Sequence, residues 1–445
     1  MEVLQRTANR GSVSTGYDID NSCKFEADNS EYLSKTPSSA GNRRTWTFSA
    51  WVKRTEITAT SNSTGNQNMV FSAGDTYLQF DGNAIWINHR AGSENFFLAT
   101  NRLFRDTSAW YHLVWQLDTT QGTASERAKL YINGVRETSF QNSTYDNMSQ
   151  NYDAAVNNSV EHEIGKYALH DTTYAGMFNG YMAEIHLVDG TALTPTSFGE
   201  FDNDSGIWIP KAYAGSHGTN GFYLDFKDAA NLGNDASGGT DFAETNISAA
   251  DQAVDTPTNN FCTWNPLWVY ATNRTISEGG TKLTGSSAWG GCKGSIGVTN
   301  GKWYWEDKAS GSDTIVGWQT DEGVALTGNA HNIISTIAMY EGGNVIWIKD
   351  STSGRNDTAC SGSYAGSQII GFALDLDSSP QTATFYRNGS AVASNVNIDG
   401  LTGKTIFPFI AQYNQNTESN FGGYTTISIS SAASDANGYG TFEYA

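Results

Sequence analysis

One short pattern occurs twice in this chain and limits what the chain can fold into. Leu113-Val114-Trp115-Gln116-Leu117-Asp118 precedes a polar loop, then Lys129-Leu130-Tyr131-Ile132-Asn133-Gly134-Val135. Later, Ile370-Gly371-Phe372-Ala373-Leu374-Asp375-Leu376-Asp377 precedes Ala383-Thr384-Phe385-Tyr386-Arg387-Asn388-Gly389-Ser390. Each copy reads as an apolar strand ending in Leu-Asp, a polar loop, an aromatic strand, then Asn-Gly. Asn and Gly tolerate the positive φ of a type I′ turn, so each copy predicts a tight β-hairpin. The residues around the two copies differ. This points to two separate β-domains on a similar plan rather than a recent duplication.

The rest of the chain agrees with an all-β reading. Its 445 residues suffice for two or three domains. It is rich in Trp, Tyr and Phe (13, 21 and 21) and in Gly (46), poor in Pro (7), and shows no long stretch of helical period. Aromatic and β-branched runs broken by Gly, Asn, Asp and Ser predict short strands. The formal net charge of −20, with no basic run, argues against tracking a nucleic-acid backbone. Cys23, Cys262, Cys292 and Cys360 have no metal-ligand spacing and are expected to be reduced. Met1 to Tyr17 lacks an apolar segment, so neither a signal peptide nor membrane insertion is expected.

Four segments follow from these signals. Residues 1–20 read as an N-terminal arm, 21–205 as a first β-sandwich, 206–262 as a loop-rich connector, and 263–445 as a second β-sandwich. Strands of the first region include Trp46 to Val52, Tyr77 to Phe80, Ala84 to Ile87 and Phe178 to Leu187. Those of the second include Lys302 to Glu306, Thr314 to Trp318, Val345 to Ile348, Thr405 to Ile410 and Tyr424 to Ile429. Short strands of this kind build jelly-roll sandwiches.

Particular residues carry family resemblances. Phe48-Ser49-Ala50-Trp51-Val52, Trp110-Tyr111-His112-Leu113 and Asn179-Gly180-Tyr181-Met182-Ala183-Glu184-Ile185 make the first region resemble a laminin-G-like, concanavalin A-like domain. Gly301-Lys302-Trp303-Tyr304-Trp305-Glu306, Val316-Gly317-Trp318 and Phe407-Pro408-Phe409 make the second resemble a SPRY domain. The combination, with an arm containing Ser14 to Ser22 and the stretches Thr36 to Arg44 and Asp255 to Cys262, resembles virion proteins of marine tailed phages. That resemblance implies a tail fibre, head fibre or capsid decoration on the particle surface, made in the host cytoplasm. Its partners would be other virion proteins and a host-surface glycan or protein, and a homotrimer is the expected state for a fibre.

Candidate chemistry is sparse. A glycoside hydrolase on this fold needs two carboxylates facing one groove. The nearest pattern, Glu184-Ile185-His186-Leu187-Val188-Asp189, has His where the central acid should stand. In Glu161-His162-Glu163, alternation puts the two acids on one face and the imidazole on the other, so the three cannot share an ion. No nucleophile elbow or phosphate loop is present, and a non-enzymatic role is expected. The laminin-G resemblance implies Ca²⁺ at the sandwich rim, with Asp75, Asp81 and Asp118 as candidate ligands. Trp86, Trp318 and Trp347 lie in strands and are expected to pack in the sheets. Trp289 and Tyr364 read as loop residues, and they are the candidate ligand-binding aromatics.

These readings converge on an externally displayed virion protein that binds a host-surface glycan or protein. The alternatives are a purely structural cement protein and, further off, a glycan-degrading enzyme.

Overall fold

A computed structural model describes residues 16–57, 67–89, 96–167, 176–270, 274–309, 311, 313–323, 335–340, 345–349, 356–359, 366–434 and 438–445. The chain divides into two compact units, one ending at Asn260 and the other beginning at Phe261. Among the described residues the regular structure is β-strand and short 3-10 turns, with no α-helix. Thus no described helix is long and apolar enough to cross a membrane.

The first unit is a sandwich of two eight-stranded antiparallel sheets. Sheet I runs in the order Val135–Arg136, Ala128–Ile132, Trp110–Asp118, Thr45–Arg54, Gly180–Asp189, Ser22–Phe25, Gln252–Ala253, and Phe222–Leu224 also pairs with Gly180–Asp189. Sheet II runs Phe140–Ser143, Phe96–Thr100, Ala84–His89, Thr76–Asp81, Gln67–Ala73, His162–Ile164, Tyr32–Lys35, Ala243–Thr245. Strand alternation turns Trp46, Phe48, Ala50 and Val52 inward, all fully buried. Phe48 stacks on Phe71 of the opposite sheet with centroids 4.5 Å apart, and Trp46 meets Trp115 edge-on at 4.9 Å. Burying one such ring contributes roughly 1.5–3 kcal/mol.

Residues 206–260, expected as part of a connector, lie inside this unit. Their strands are two or three residues long and sit at or near sheet edges, which is why they carry so little apolar signal. Ion pairs hold them. Lys24 meets Asp251 at 2.9 Å, Lys35 meets Asp235 at 3.0 Å, and Lys53 meets Asp255 at 2.6 Å. Asp255 also accepts from the Trp110 indole at 3.0 Å, so the buried pair is hydrogen-bonded as well as charge-matched. Of the expected arm, residues 1–15 lie outside the described residues. Its last residues are docked: Ile19 is buried and its N–H donates to Thr258 Oγ1 at 3.0 Å.

The second unit is a sandwich of two seven-stranded sheets. Sheet III runs Trp264–Tyr270, Trp289–Gly294, Ile406–Tyr413, Thr314–Thr320, Thr336–Tyr340, Val345–Lys349, Asn356–Ala359. Sheet IV runs Thr275–Ser277, Lys282–Thr284, Asn416–Asn420, Lys302–Ala309, Ile369–Asp375, Thr382–Arg387, Ser390–Asn397. Trp305 anchors the core, stacked on Phe372 at 4.5 Å and edge-on to Trp264 at 5.7 Å. Trp318 is buried in the same core. The strand expected over Tyr424 to Ile429 does not form. The Thr425 hydroxyl bonds back to the Ser419 carbonyl and accepts from Ile427 N–H, a local closure that competes with extension. The polar run Asn416–Asn420 supplies the strand instead.

Candidate functional site

In the first unit, a groove of about 360 Å³ opens beside the turn between Gln67–Ala73 and Thr76–Asp81. The turn needs Gly74, which has φ of +51° and lies so close to Ala155 that a Cβ would stand 3.3 Å from the Ala155 methyl. Beside it, His89 ends the strand Ala84–His89 and is held at both ring nitrogens. Nδ1 lies 2.7 Å from Thr76 Oγ1, and Nε2 lies 2.7 Å from the Tyr152 hydroxyl. That second bond fixes the half-buried Tyr152 ring in one orientation. Arg43 crosses the floor with Nε on the Ala154 carbonyl (2.6 Å) and Nη2 on the Asp153 carbonyl (2.9 Å). Asp75, Asn158, Glu161 and Glu163 complete the polar lining.

A network centred on Asp189 sets the shape of this rim. Its carboxylate accepts from Asn42 N–H (2.8 Å), Asn157 Nδ2 (3.0 Å) and Asn220 N–H (3.0 Å). Asn157 sits at φ +63° and its N–H donates to His162 Nε2 at 3.0 Å. His162 therefore accepts at Nε2 and donates from Nδ1 to the Val160 carbonyl (2.8 Å), a neutral imidazole. Burial lowers its pKa to about 4. Glu161 and Glu163 face the groove while His162 turns away, as strand alternation requires.

The candidate Ca²⁺ ligands are not brought together. Asp75 lines the groove. Asp81 ends the strand that Asp75 precedes, about 20 Å away at strand rise. Asp118 lies in the other sheet, where its carboxylate accepts from Thr120 N–H, the Thr120 hydroxyl and Gln121 Nε2. Burial pushes the Asp118 carboxyl up, but those hydrogen bonds outweigh it and hold it below the ordinary value. It closes a loop. Among the described residues no three His, Cys, Asp or Glu side chains form a metal-ligand group.

Of the two candidate aromatics, Tyr364 lies outside the described residues. Trp289 is in a strand rather than a loop, and is half-buried against Tyr413 with centroids 6.1 Å apart. The neighbouring Gly291 serves close strand packing, because a Cβ there would stand 2.2 Å from the Ile410 carbonyl oxygen. Trp86 sits half-buried between the buried Ile85 and Ile87, edge-on to Phe97 at 4.9 Å, and so points away from the sandwich interior. The side chain of Trp347 lies outside the described residues. Cys23, Cys262 and Cys292 carry free thiols, and Cys360 lies outside the described residues.

The outer face of sheet I holds two further clusters. His112 Nε2 lies 2.9 Å from Ser49 Oγ, a pairing that resembles a nucleophile and its base. However, the Trp208 indole N–H donates to His112 Nδ1 at 3.0 Å. Indole only donates, so Nδ1 accepts and the proton of the neutral ring sits on Nε2. Burial, reinforced by neighbouring His186, lowers the His112 pKa to about 3. The imidazole thus donates to Ser49 and cannot take its proton. Glu184 stands at a bulge in Gly180–Asp189 with φ +50°. Its two oxygens accept from Tyr223 OH (2.7 Å) and Tyr17 OH (2.8 Å). Burial raises its carboxyl, but His186 at 3.7 Å and the two phenols bring it below the ordinary value, the opposite direction from a general acid. Asp189, the other acid of that motif, is five strand positions on, about 15 Å away. Glycosidase pairs stand roughly 5–9.5 Å apart.

Against known proteins, the first unit is the informative part. Residues 27–197 match the laminin-G-type model of the concanavalin A-like lectin/glucanases superfamily. No curated protein matches the chain. Among solved structures, the SPRY domain of human HERC1 aligns at 17% identity, covering 35% of this chain and 96% of that one, with a TM-score of 0.29. A putative carbohydrate binding protein from Bacteroides ovatus aligns at 17% identity over 52% of this chain and 60% of that one, with a TM-score of 0.35. Domains LG4-5 of the mouse laminin alpha1 chain align at 8% identity over 98% and 96%, with a TM-score of 0.32.

The sequence pointed to Asp75 and to the Glu161-His162-Glu163 alternation. It missed Arg43, His89, Tyr152 and Asn158, which come from separate segments and form no linear motif.

Proposed function

We propose that the protein is a non-enzymatic binding and structural component of a phage particle surface, and that the groove of its first unit holds a host-surface saccharide. The observation that carries this reading is the groove itself: a preoriented Tyr152 ring beside Arg43, Asp75, Asn158 and Glu161. Sugars offer apolar ring faces to stack on and hydroxyls that pair with carboxylate, amide and guanidinium groups. The superfamily match over residues 27–197, whose description names lectins, supports the same reading. Placement on the particle, with other virion proteins as partners and a trimeric state, rests on the resemblance of the Ser14 to Ser22 and Asp255 to Cys262 stretches to tailed-phage proteins.

The test is a glycan array probed with the full chain and with Tyr152→Ala. Selective binding that falls at least tenfold in the variant, a loss of about 1.4 kcal/mol or more, is the expected result. Equal binding by both would remove the groove from the reading. One observation favours a purely structural role instead. Phe201, packed edge-on against Trp208, and Val135, next to the Gly134 that lies under Trp208, are 50% and 59% exposed and could seat a neighbouring subunit. Imaging the labelled protein on particles separates the two, because cement lies flat between shell subunits and an attachment protein projects.

A further inference from the structure

The polar groups of the groove are not equally committed, and the imbalance selects a ligand. Glu163 Oε2 accepts from Ser72 Oγ (3.2 Å), and Oε1 faces Lys166 Nζ at 3.5 Å. Arg43 spends Nε and Nη2 on backbone carbonyls. By contrast, the carboxylates of Asp75 and Glu161 have no hydrogen bond or ion pair among the described residues. Both line the groove, where Gly74, the neighbour of Asp75, donates its N–H to the Glu161 carbonyl. The groove therefore presents two spare acceptors of negative charge and little spare positive charge.

We infer that the groove takes a saccharide rich in donors, with a protonated amine set between Asp75 and Glu161, and rejects glycans bearing carboxylate or sulfate groups. This rests on the saccharide reading above and narrows it. A protonated amine makes charge-assisted hydrogen bonds to both carboxylates. An anionic sugar there meets two like charges with only a committed guanidinium to offset them, and a repulsive element of this kind is as much a source of specificity as an attractive one. The Tyr152 ring, locked by His89, supplies the stacking face.

The experiment is calorimetric titration of the full chain with three probes: glucosamine oligosaccharides, their N-acetylated counterparts, and a sulfated polysaccharide. Each is measured at low and high salt. The expected result is tightest binding of the amine form, roughly tenfold over the acetylated form, weakening with salt, and no binding of the sulfated probe. D75N and E161Q should each abolish the amine preference while leaving the acetylated form bound. D204N, an exposed acid of the same unit outside the groove, should leave the preference intact. If D204N erodes it as much as D75N does, the preference is a general effect of the −20 chain and the inference fails. Tight binding of the sulfated probe overturns the inference but leaves the saccharide reading standing. Failure of all three probes, with an equally silent glycan array, removes both.

Discussion

In the first unit, Asn133 donates its N–H to the His112 carbonyl (2.9 Å) and accepts the His112 N–H at Oδ1 (2.8 Å). In the second, Asn388 does the same to Ile369, at 2.8 and 3.0 Å. Asn133 and Gly134 have φ of 48° and 79°, and Asn388 and Gly389 have 46° and 76°. The acids of the two Leu-Asp endings also share a role. Asp118 accepts from Thr120 and Gln121, and Asp375 from the N–H groups of Asp377 and Ser378. Beyond this local code the hairpins part. Gly134 lies under Trp208, which is 5% exposed, whereas Gly389 lies under Tyr444, which is 38% exposed. The same short sequence thus builds the same turn twice, and what covers the turn decides how strongly each unit depends on it.

The largest test of that difference is removal of the two covering rings. Trp208→Ala should cost the first unit about 3–5 kcal/mol, because it opens a cavity and strips His112 Nδ1 of its donor. Tyr444→Ala should cost the second unit no more than about 0.5 kcal/mol, as for a surface change. Hydrogen exchange followed segment by segment in urea would read each unit separately. Equal losses in both units would show that the Trp208 contact adds nothing special.

Next in size come the turn glycines. Alanine in the left-handed region costs roughly 1–2 kcal/mol at either position. At Gly134 the new Cβ would also stand 2.3 Å from the Trp208 ring, and at Gly389 it would stand 2.8 Å from the Tyr444 ring. The enclosed Trp208 cannot yield without repacking, which adds about 1–3 kcal/mol, whereas the exposed Tyr444 can swing aside. Gly134→Ala should therefore lower the urea midpoint of its unit clearly more than Gly389→Ala lowers that of the other. The double variant Gly134→Ala/Trp208→Ala should be less than additive.

Local chemistry dictates what was legible in the sequence: both Asn-Gly turns, the strands over Trp46 to Val52 and Lys302 to Glu306, and the sandwich class. Legibility failed where long-range polar contacts decide. Asp235, Asp251 and Asp255 looked like loop polarity because their lysine partners stand 200 or more positions away. The sequence predicts no strand over Ser419 and Asn420, yet both are buried in one, Ser419 Oγ donating to Asp307 and Asn420 Nδ2 to Glu306. The groove was half legible. Its acids lie in a turn and an alternating strand that can be read directly, whereas Tyr152 matters only because His89 orients it.

Acid should also separate the units. Burial depresses His112 to about 3 and His162 to about 4, while an unfolded histidine titrates near 6.5. Between those values the unfolded chain binds protons that the folded unit refuses, so stability is fully present above pH 6.5 and is lost as pH falls towards 4. At pH 5 this amounts to about 2 kcal/mol for each of the two imidazoles. The described residues of the second unit include no histidine. Its depressed carboxyls, Asp375 and Glu443, are only half-buried and begin to matter only below their unfolded values of 3.8 and 4.5. From pH 7.5 to 5 the urea midpoint of the first unit should therefore fall while that of the second holds. Loss of self-repulsion as the acidic chain is neutralised would act on both units and in the opposite direction, so parallel shifts would show that net charge, not the buried imidazoles, governs the response.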